Sequence, residues 1–195
     1  MARKLEFFFD VVSPTAYLAW TQLPALVERT GAELDYRPMF LGGVMAATGN
    51  RPPGTVGAKG RWMTADLARF AARYGVPYKQ NPAFPMNTLP IMRAAMTWKD
   101  RPDFEAFLKT IFEAIWVDAR DVAQEQVLTQ ALAEGGLDPE AFWAAAKDPA
   151  NKEALKANTD EAVARGVFGA PSFFVGEELH FGQDRLDFVE SALTR

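Results

Sequence analysis

Ser13 is the first residue whose type and position predict chemistry. It comes directly before Pro14, where an apolar run has ended at Asp10 and a helical pattern begins. Serine followed by proline is typical of a helix start, and the free backbone N–H groups there favour an anion. A serine hydroxyl does not ionise usefully at neutral pH, but it can donate a hydrogen bond to a thiolate and stabilise the charged form. The motif therefore indicates either a thiolate-binding residue or, more commonly, a plain helix cap.

Any thiolate must come from outside the chain, because the sequence contains no cysteine. That absence excludes disulfides, thiolate metal sites and a CxxC redox centre, and with them the function of a disulfide oxidoreductase. The single histidine excludes a metal site built from several histidines. Chemistry in this chain needs other side chains or an imported cofactor.

A second motif lies near the other end of the chain, where Ala170 and Pro171 precede an apolar run. Proline can open a strand because its missing N–H need not pair. If the bond before Pro171 is cis, the N–H and C=O of Ala170 are expected to be free to pair with an extended peptide ligand. An ordinary trans proline in a loop is the alternative.

The elements around these motifs predict a sheet divided by helices. Lys4 to Phe9 and Glu33 to Phe40 indicate strands joined by a helix that starts at Ser13 and ends near Gly31, a βαβ unit. Strand patterns return only at Ser172 to Val175 and Leu179 to Phe181, a hairpin with a turn at Gly176.

From Leu41 onward, glycines and prolines predict a long loop, and the rest of the middle is predicted to be helical. A stripe from Trp62 to Tyr74 ends at Gly75, and Asp-Pro pairs open two later helices. The further predicted helices are Asp103 to Trp116, Val122 to Ala133, Pro139 to Lys147, Pro149 to Arg165 and Leu186 to Leu193.

This order, βαβ, a helical insertion and then αββα, predicts an α/β chain with a thioredoxin-like fold. The thioredoxin-like part is expected to be discontinuous, over residues 1–45 and 155–195, with the all-helical insertion over residues 46–154. No strand is expected between Gly60 and Arg165.

Phe9 to Leu18 resembles the opening motif of the 2-hydroxychromene-2-carboxylate isomerases and kappa-class glutathione transferases. Three later stretches agree with that family in order and spacing, and the resemblance runs essentially from end to end. They are Gly49-Asn50-Arg51-Pro52-Pro53 with Lys59-Gly60 beyond it, Val167-Phe168-Gly169-Ala170-Pro171, and Gly182-Gln183-Asp184-Arg185.

The resemblance implies glutathione as the cofactor and assigns residues to it. Ser13 would face the glutathione sulfur, Ala170 would pair with the cysteinyl backbone, and Pro171 would be the cis proline. Asn50 and Lys59 would hold the glycyl end. Gln183, Asp184 and Arg185 would hold the γ-glutamyl end. The sequence departs from the family pattern at two of the assigned positions: Ala170 stands where valine is common, and Gln183 stands where serine or asparagine is usual.

The implied activity is isomerisation of 2-hydroxychromene-2-carboxylate to trans-o-hydroxybenzylidenepyruvate, a step in the degradation of naphthalene-type aromatics. Phe84, Asn87 and Trp116 are candidates for contacting this small aromatic substrate, although Trp116 on a helical stripe is more typical of a core residue. The alternatives are a kappa-like transferase acting on other electrophiles and a non-catalytic glutathione-binding module. A homodimer is usual among such relatives.

Charge and composition limit the remaining possibilities. The 195 residues carry a formal net charge of -4, so no field adapted to nucleic acid is expected. No apolar run approaches the roughly 20 residues that span a bilayer, and the apolar run near the start is too short and wrongly flanked for a secretory signal. The expected location is the cytoplasm.

Overall fold

A computed structural model describes residues 3–195 and contains one four-stranded sheet. The strands are β1 (Lys4–Phe9), β2 (Glu33–Pro38), β3 (Ser172–Val175) and β4 (Glu178–Phe181), in the order β2-β1-β3-β4. β1 pairs parallel with β2 and antiparallel with β3, and β3 pairs antiparallel with β4. No strand lies between residues 60 and 165. The predicted thioredoxin-like sheet is confirmed, with its strand ends displaced by one or two residues.

Both faces of β1 are buried, because alternate side chains of a strand point to opposite faces. Phe7 and Phe9 belong to the main hydrophobic cluster, which also contains helical residues such as Phe112. Phe8 points the other way, into a smaller cluster with Phe174 and Met39. The end of β1, and therefore the residues that follow it, is fixed from both sides.

The helices account for most of the chain between the strands. Their bounds are α1 (Pro14–Trp20), α2 (Leu23–Thr30), α3 (Leu41–Thr48), α4 (Gly57–Tyr74), α5 (Leu89–Trp98), α6 (Phe104–Trp116), α7 (Glu125–Glu134), α8 (Pro139–Lys147), α9 (Pro149–Ala164) and α10 (Leu186–Thr194). The predictions for α6 to α10 are confirmed, to within three residues for α7 and one or two for the others. The predicted end of α4 is also confirmed, but the helix starts at Gly57, before the predicted start at Trp62. Asp138 and Asp148 cap α8 and α9 with their side chains, as the Asp-Pro pairs indicate.

The first predicted helix is divided into two. α1 ends at Trp20 after seven residues, and α2 begins at Leu23. Pro24 explains the break, because a proline inside a helix has no N–H to donate and its ring clashes with the carbonyl four residues earlier, here that of Trp20. Ser13 therefore caps a short helix rather than a long one.

The expected loop after Leu41 is wrong at its start, because α3 forms there despite its two glycines. A Cβ on Gly43 would lie 3.3 Å from Phe40 Cδ1 and from Thr159 Cγ2. The small glycine thus lets α3 pack closely, and the tertiary contacts compensate for its poor helix propensity. α3 ends at Thr48 and is followed by Gly49, which has a left-handed φ of 72°.

The main hydrophobic cluster joins the two predicted parts of the chain. The rings of Phe9 and Phe112 lie 6.4 Å apart, although they belong to the sheet and to the helical middle. The division at residues 46 and 154 stays a prediction.

Within residues 3–195, none of the helices combines the length and the apolar character needed to cross a bilayer.

Candidate functional site

Ser13 lies in a cluster of three oxygen atoms, which we call the hydroxyl cluster: Ser13 Oγ, Thr15 Oγ1 and the carbonyl oxygen of Ala170. Ser13 Oγ is 2.8 Å from Thr15 Oγ1 and 3.1 Å from the carbonyl oxygen, and Thr15 Oγ1 is 3.0 Å from that oxygen. The backbone N–H of Ala16 donates to Ser13 Oγ over 3.2 Å, so the helix cap is also present. The exposed fractions are 4% for Ser13 and 8% for Thr15 and Ala170.

The cluster brings together the two motifs that the sequence places 157 residues apart. The bond between Ala170 and Pro171 is cis, as predicted, and the bond between Phe84 and Pro85 is also cis. The Ala170 carbonyl is not free as expected, because the hydroxyl groups of Ser13 and Thr15 both lie within hydrogen-bonding distance of its oxygen. Its N–H makes no hydrogen bond within residues 3–195.

The turn before Ser13 is held by the buried carboxylate of Asp10. Its Oδ1 accepts from the N–H of Val12 over 3.1 Å and from Thr88 Oγ1 over 2.8 Å, and its Oδ2 accepts from the N–H of Leu41 over 3.0 Å. The backbone of Ser13 donates to the Asp10 carbonyl over 3.0 Å. One side chain thus ties the turn to the starts of α3 and α5.

Burial determines the proton chemistry of the groups around the turn. It raises the pKa of Asp10, and the hydrogen bonds from Leu41, Val12 and Thr88 oppose that rise. Burial, together with the nearby Glu113, raises the pKa of Tyr17 to about 12. The Tyr17 hydroxyl also donates to Pro77 O over 2.6 Å, so it stays protonated and is engaged away from the hydroxyl cluster.

The segment of the predicted γ-glutamyl residues is joined to Pro171 by a backbone hydrogen bond. The N–H of Gly182, the residue before Gln183, donates to the Pro171 carbonyl over 3.0 Å. Gln183 is buried, and its carbonyl accepts from Tyr74 Oη over 2.7 Å. Asp184 is exposed and forms an ion pair with its neighbour Arg185. Their side chains are directed toward each other and toward solvent.

Of the two predicted glycyl residues, one contacts the segment that leads to Ala170. The side-chain amide of Asn50 donates to the Phe168 carbonyl over 2.7 Å, two residues before Ala170. Lys59 is in the first turn of α4, exposed, and forms no ion pair or hydrogen bond within residues 3–195. We call Asn50, Lys59, Asp184 and Arg185 the outer polar residues.

The three candidates for substrate contact differ in how far their side chains are buried. Trp116 is wrong as a pocket wall: it is 0% exposed, and its Nε1 donates to the Val11 carbonyl over 2.9 Å. Its indole therefore supports the turn before Ser13. Phe84 is half-buried against Trp116, with ring centroids 5.6 Å apart, while Asn87 is exposed and accepts from the N–H of Leu89. Only Phe84 and Asn87 keep surface that a substrate can reach.

Asp10, Thr15 and Thr88 are the site residues that the sequence did not single out. The sequence pattern marks Asp10 only as the end of a strand, although an aspartate side chain commonly accepts from the backbone two residues on, as Asp10 does from Val12. Thr15 carries a second hydroxyl near the helix start. No local signal identifies Thr88, which lies 78 residues from its partner Asp10.

Fold and site together define a thioredoxin-like protein whose first helix is capped by serine. The DSBA-like thioredoxin domain family matches residues 4–194. Within that class the chain belongs to the family of 2-hydroxychromene-2-carboxylate isomerases and kappa-class glutathione transferases, as the following similarities show.

The chain is 35% identical to a 2-hydroxychromene-2-carboxylate isomerase of Sphingobium xenophagum, over 99% of both chains. It is 29% identical to glutathione S-transferase kappa 1 of Caenorhabditis elegans, over 97% of this chain and 90% of that protein. A solved structure of a 2-hydroxychromene-2-carboxylate isomerase superposes with a TM-score of 0.87 at 28% identity, covering 97% of this chain and 94% of the other. The predicted family, fold and isomerase-like enzyme class are confirmed.

Proposed function

We propose that the chain is a glutathione-dependent isomerase that converts 2-hydroxychromene-2-carboxylate to trans-o-hydroxybenzylidenepyruvate. The observation that carries this proposal is the hydroxyl of Ser13, held in a nearly buried cluster beside Ala170 in a chain without cysteine. A hydroxyl in such a place donates strongly to an anion, because little water competes with it. The similarity to named isomerases supports the same assignment.

In the proposed reaction the glutathione sulfur acts as a temporary nucleophile. The hemiketal ring of the chromene first opens: the C–O bond to the ring oxygen breaks, the hemiketal hydroxyl becomes a ketone, and its proton passes to the phenol oxygen. The thiolate then adds to the carbon of the C=C bond that is β to this ketone, and the electron pair of that bond moves toward the ketone oxygen to give an enolate. The former double bond is then single and rotates. When the electrons return, the C–S bond breaks and glutathione leaves unchanged, so substrate and product have the same atoms. Ser13 lowers the pKa of the thiol by donating to the thiolate.

The outer polar residues are proposed to bind the ends of glutathione. Lys59 is a free cation for the glycyl carboxylate, with the Asn50 amide as a second donor. Asp184 is the proposed partner of the γ-glutamyl ammonium, and it can bind that group if its ion pair with Arg185 opens. The buried Gln183 contributes through the position of its segment. The Ala170 N–H is proposed to donate to the cysteinyl unit.

The main alternative is a kappa-like transferase, which the 29% identity to a kappa-class protein supports. In that reaction the thioether is released, so one glutathione is consumed for each product molecule. Isomerisation consumes none. Counting the free thiol during turnover therefore separates the two enzymes, and an absence of turnover with any conjugated electrophile would leave only a glutathione-binding module.

Ser13→Ala tests the proposal directly. The charge-assisted hydrogen bond at stake is worth about 1.5 to 3 kcal/mol, which corresponds to an approximately tenfold to hundredfold loss of kcat. The pKa of bound glutathione should rise, while glutathione should still bind through the outer polar residues. The measurements are kcat for the chromene and the thiolate absorbance of bound glutathione across pH.

A helix cap alone gives a different result. Ser13→Ala would then cost about 1 kcal/mol of stability and leave the thiol pKa unchanged, and that outcome would refute the catalytic role. Ser13→Thr is the matched control, because it keeps both the cap and a hydroxyl. It should keep the thiol pKa closer to that of the native protein than Ser13→Ala does.

The proposal also includes a homodimer and a cytoplasmic location. Exposed apolar side chains, among them Trp62 and Phe188, offer surface for a second copy. Analytical ultracentrifugation of the purified protein measures the oligomeric state, and a monomer at micromolar concentration would contradict it. Fractionation of the source cells tests the location.

A further inference from the structure

The hydroxyl cluster has fewer hydrogens than contacts. Each hydroxyl carries one hydrogen, so Ser13 and Thr15 supply two hydrogens to three oxygen–oxygen contacts of 2.8 to 3.1 Å. The Ala170 carbonyl can only accept. At any moment, therefore, one contact in the cluster is not a hydrogen bond, and several arrangements of the two hydrogens are available.

An incoming thiolate selects among these arrangements. If Ser13 turns its only hydrogen toward the sulfur, it can no longer donate to the Ala170 carbonyl. A nearly buried carbonyl left without a donor would oppose that rotation, because an unpaired buried acceptor destabilises the structure. Within residues 3–195, Thr15 is the only other residue that donates to this oxygen.

We propose that Thr15 is a positioning residue that frees the hydroxyl hydrogen of Ser13 for the glutathione thiolate by donating its own hydrogen to the Ala170 carbonyl. This inference rests on the proposed function and identifies a residue beyond it. Thr15 acts through Ser13 and does not need to touch the sulfur.

The remaining contacts of Ser13 agree with this role. The Ala16 N–H continues to donate to Ser13 Oγ over 3.2 Å when the hydroxyl turns. Donation into an oxygen polarises its O–H bond, so the chain from Ala16 through Ser13 to the thiolate is cooperative. Thr15 and Ala16 both lie in the first turn of α1. The start of this helix therefore supplies the Ala16 N–H to Ser13 Oγ and the Thr15 hydroxyl to the Ala170 carbonyl.

The test uses Thr15→Val, which keeps the branched shape and removes the hydroxyl. We expect the pKa of bound glutathione to rise by about one unit and kcat, measured below that pKa, to fall about tenfold. The affinity for glutathione at a pH where its thiol stays protonated should be unchanged. Thr15→Ser should return both quantities toward the native values. The measurements are the thiolate absorbance across pH, the chromene turnover and calorimetric binding of glutathione.

A double-mutant cycle separates this role from a structural one and from the proposed function. In a Ser13→Ala background, Thr15→Val should cause no further rise of the thiol pKa, because the Ser13 hydroxyl hydrogen that Thr15 is proposed to free is already absent. A rise of the same size in both backgrounds, or none in the native background, would overturn the inference while leaving Ser13 in place. If Ser13→Ala itself leaves the thiol pKa unchanged, the proposed function and this inference both fail. Should Thr15→Val fold poorly, Thr15→Ala gives the same comparison.

Discussion

The hydroxyl cluster and the outer polar residues differ in how their polar groups are satisfied. In the cluster, Ser13 and Thr15 are nearly buried, and their hydrogen bonds are to other protein atoms. Among the outer residues, Lys59 is exposed and unpaired within residues 3–195, while Asp184 pairs only with its neighbour Arg185. The first region is nearly buried and has fewer hydrogens than contacts, and the second is exposed to solvent.

This difference predicts separate roles for the two regions in stabilising the thiolate and in binding glutathione. A buried hydroxyl changes the energy of a thiolate, because water does not screen it, whereas exposed charges contribute modest and salt-dependent attraction. Changes near the cluster should therefore alter stability, thiol pKa and kcat. Changes among the outer residues should mainly alter the KM for glutathione.

Asp10→Asn gives the largest expected effect on stability, because it disturbs the turn that carries Ser13. The amide can accept at only one of its two positions, so either the Leu41 N–H, which Oδ2 accepts, or both the Val12 N–H and the Thr88 hydroxyl, which Oδ1 accepts, lose their acceptor. We expect a loss of about 1 to 3 kcal/mol in the free energy of unfolding. Chemical denaturation measures it. Asp100→Asn, which removes an exposed carboxylate, is the control and should have little effect.

The same variant tests the pH dependence of Asp10. Burial raises its pKa, so the native state holds the proton more firmly than the unfolded state, whose pKa is near 3.8. The contribution of Asp10 to stability is then full below that value and is lost as pH rises through the raised pKa. The stability difference between native protein and Asp10→Asn should narrow as pH rises. A difference that widens with pH would contradict the raised pKa.

Gly182→Ala tests whether the outer residues depend on the backbone beside Pro171. Gly182 has a φ of 96°, and a Cβ there would lie 2.5 Å from Asp184 Oδ1. We expect a stability loss of about 1 to 3 kcal/mol and a higher KM for glutathione, because the Asp184 carboxylate must move. Steady-state kinetics and thermal unfolding measure the two effects.

Gly176→Ala is the matched control for that substitution. Gly176 also has a positive φ, 61°, but a Cβ there would meet nothing within 4 Å. It should destabilise the protein and leave the KM unchanged. An equal KM in both variants would show that Asp184 does not contribute to glutathione binding.

Lys59→Gln gives the smallest expected effect. An exposed lysine attracts a carboxylate weakly, so the KM for glutathione should rise by about two- to fivefold with kcat unchanged. High salt should remove the difference between native protein and variant, because ions screen the attraction. Lys109→Gln removes the same charge from α6 and serves as the control. A fall of kcat would place Lys59 in the chemical step instead.

The fold was predictable where local signals and tertiary packing agree. The apolar run of β1 and the Asp-Pro starts of α8 and α9 place those elements to within a residue or two. α3 was missed, because its glycines argue against a helix and only its long-range packing stabilises it. α5 was also missed, although Pro90 lies in its first turn. The hydroxyl of its N-cap residue Thr88 makes no capping hydrogen bond and donates to Asp10 instead.

The candidate site shows the same limit. Ser13 and the cis bond before Pro171 follow from local motifs and the resemblance to a family. The burial of Trp116 and the engagement of the Ala170 carbonyl depend on contacts between residues more than a hundred positions apart. No single stretch of sequence contains that information, so these two features could be recognised only from the structure.

The three-way hydrogen bonding of Asp10 also constrains the order in which the protein assembles. Its partners Leu41 and Thr88 are 31 and 78 residues away, so two large loops must close before the carboxylate meets all of its donors. We therefore expect the turn that carries Ser13 to be complete only after β1 has met both α3 and α5. A partly folded chain with an intact helical core would still lack a competent site, and catalytic activity reports complete assembly more stringently than helix content does.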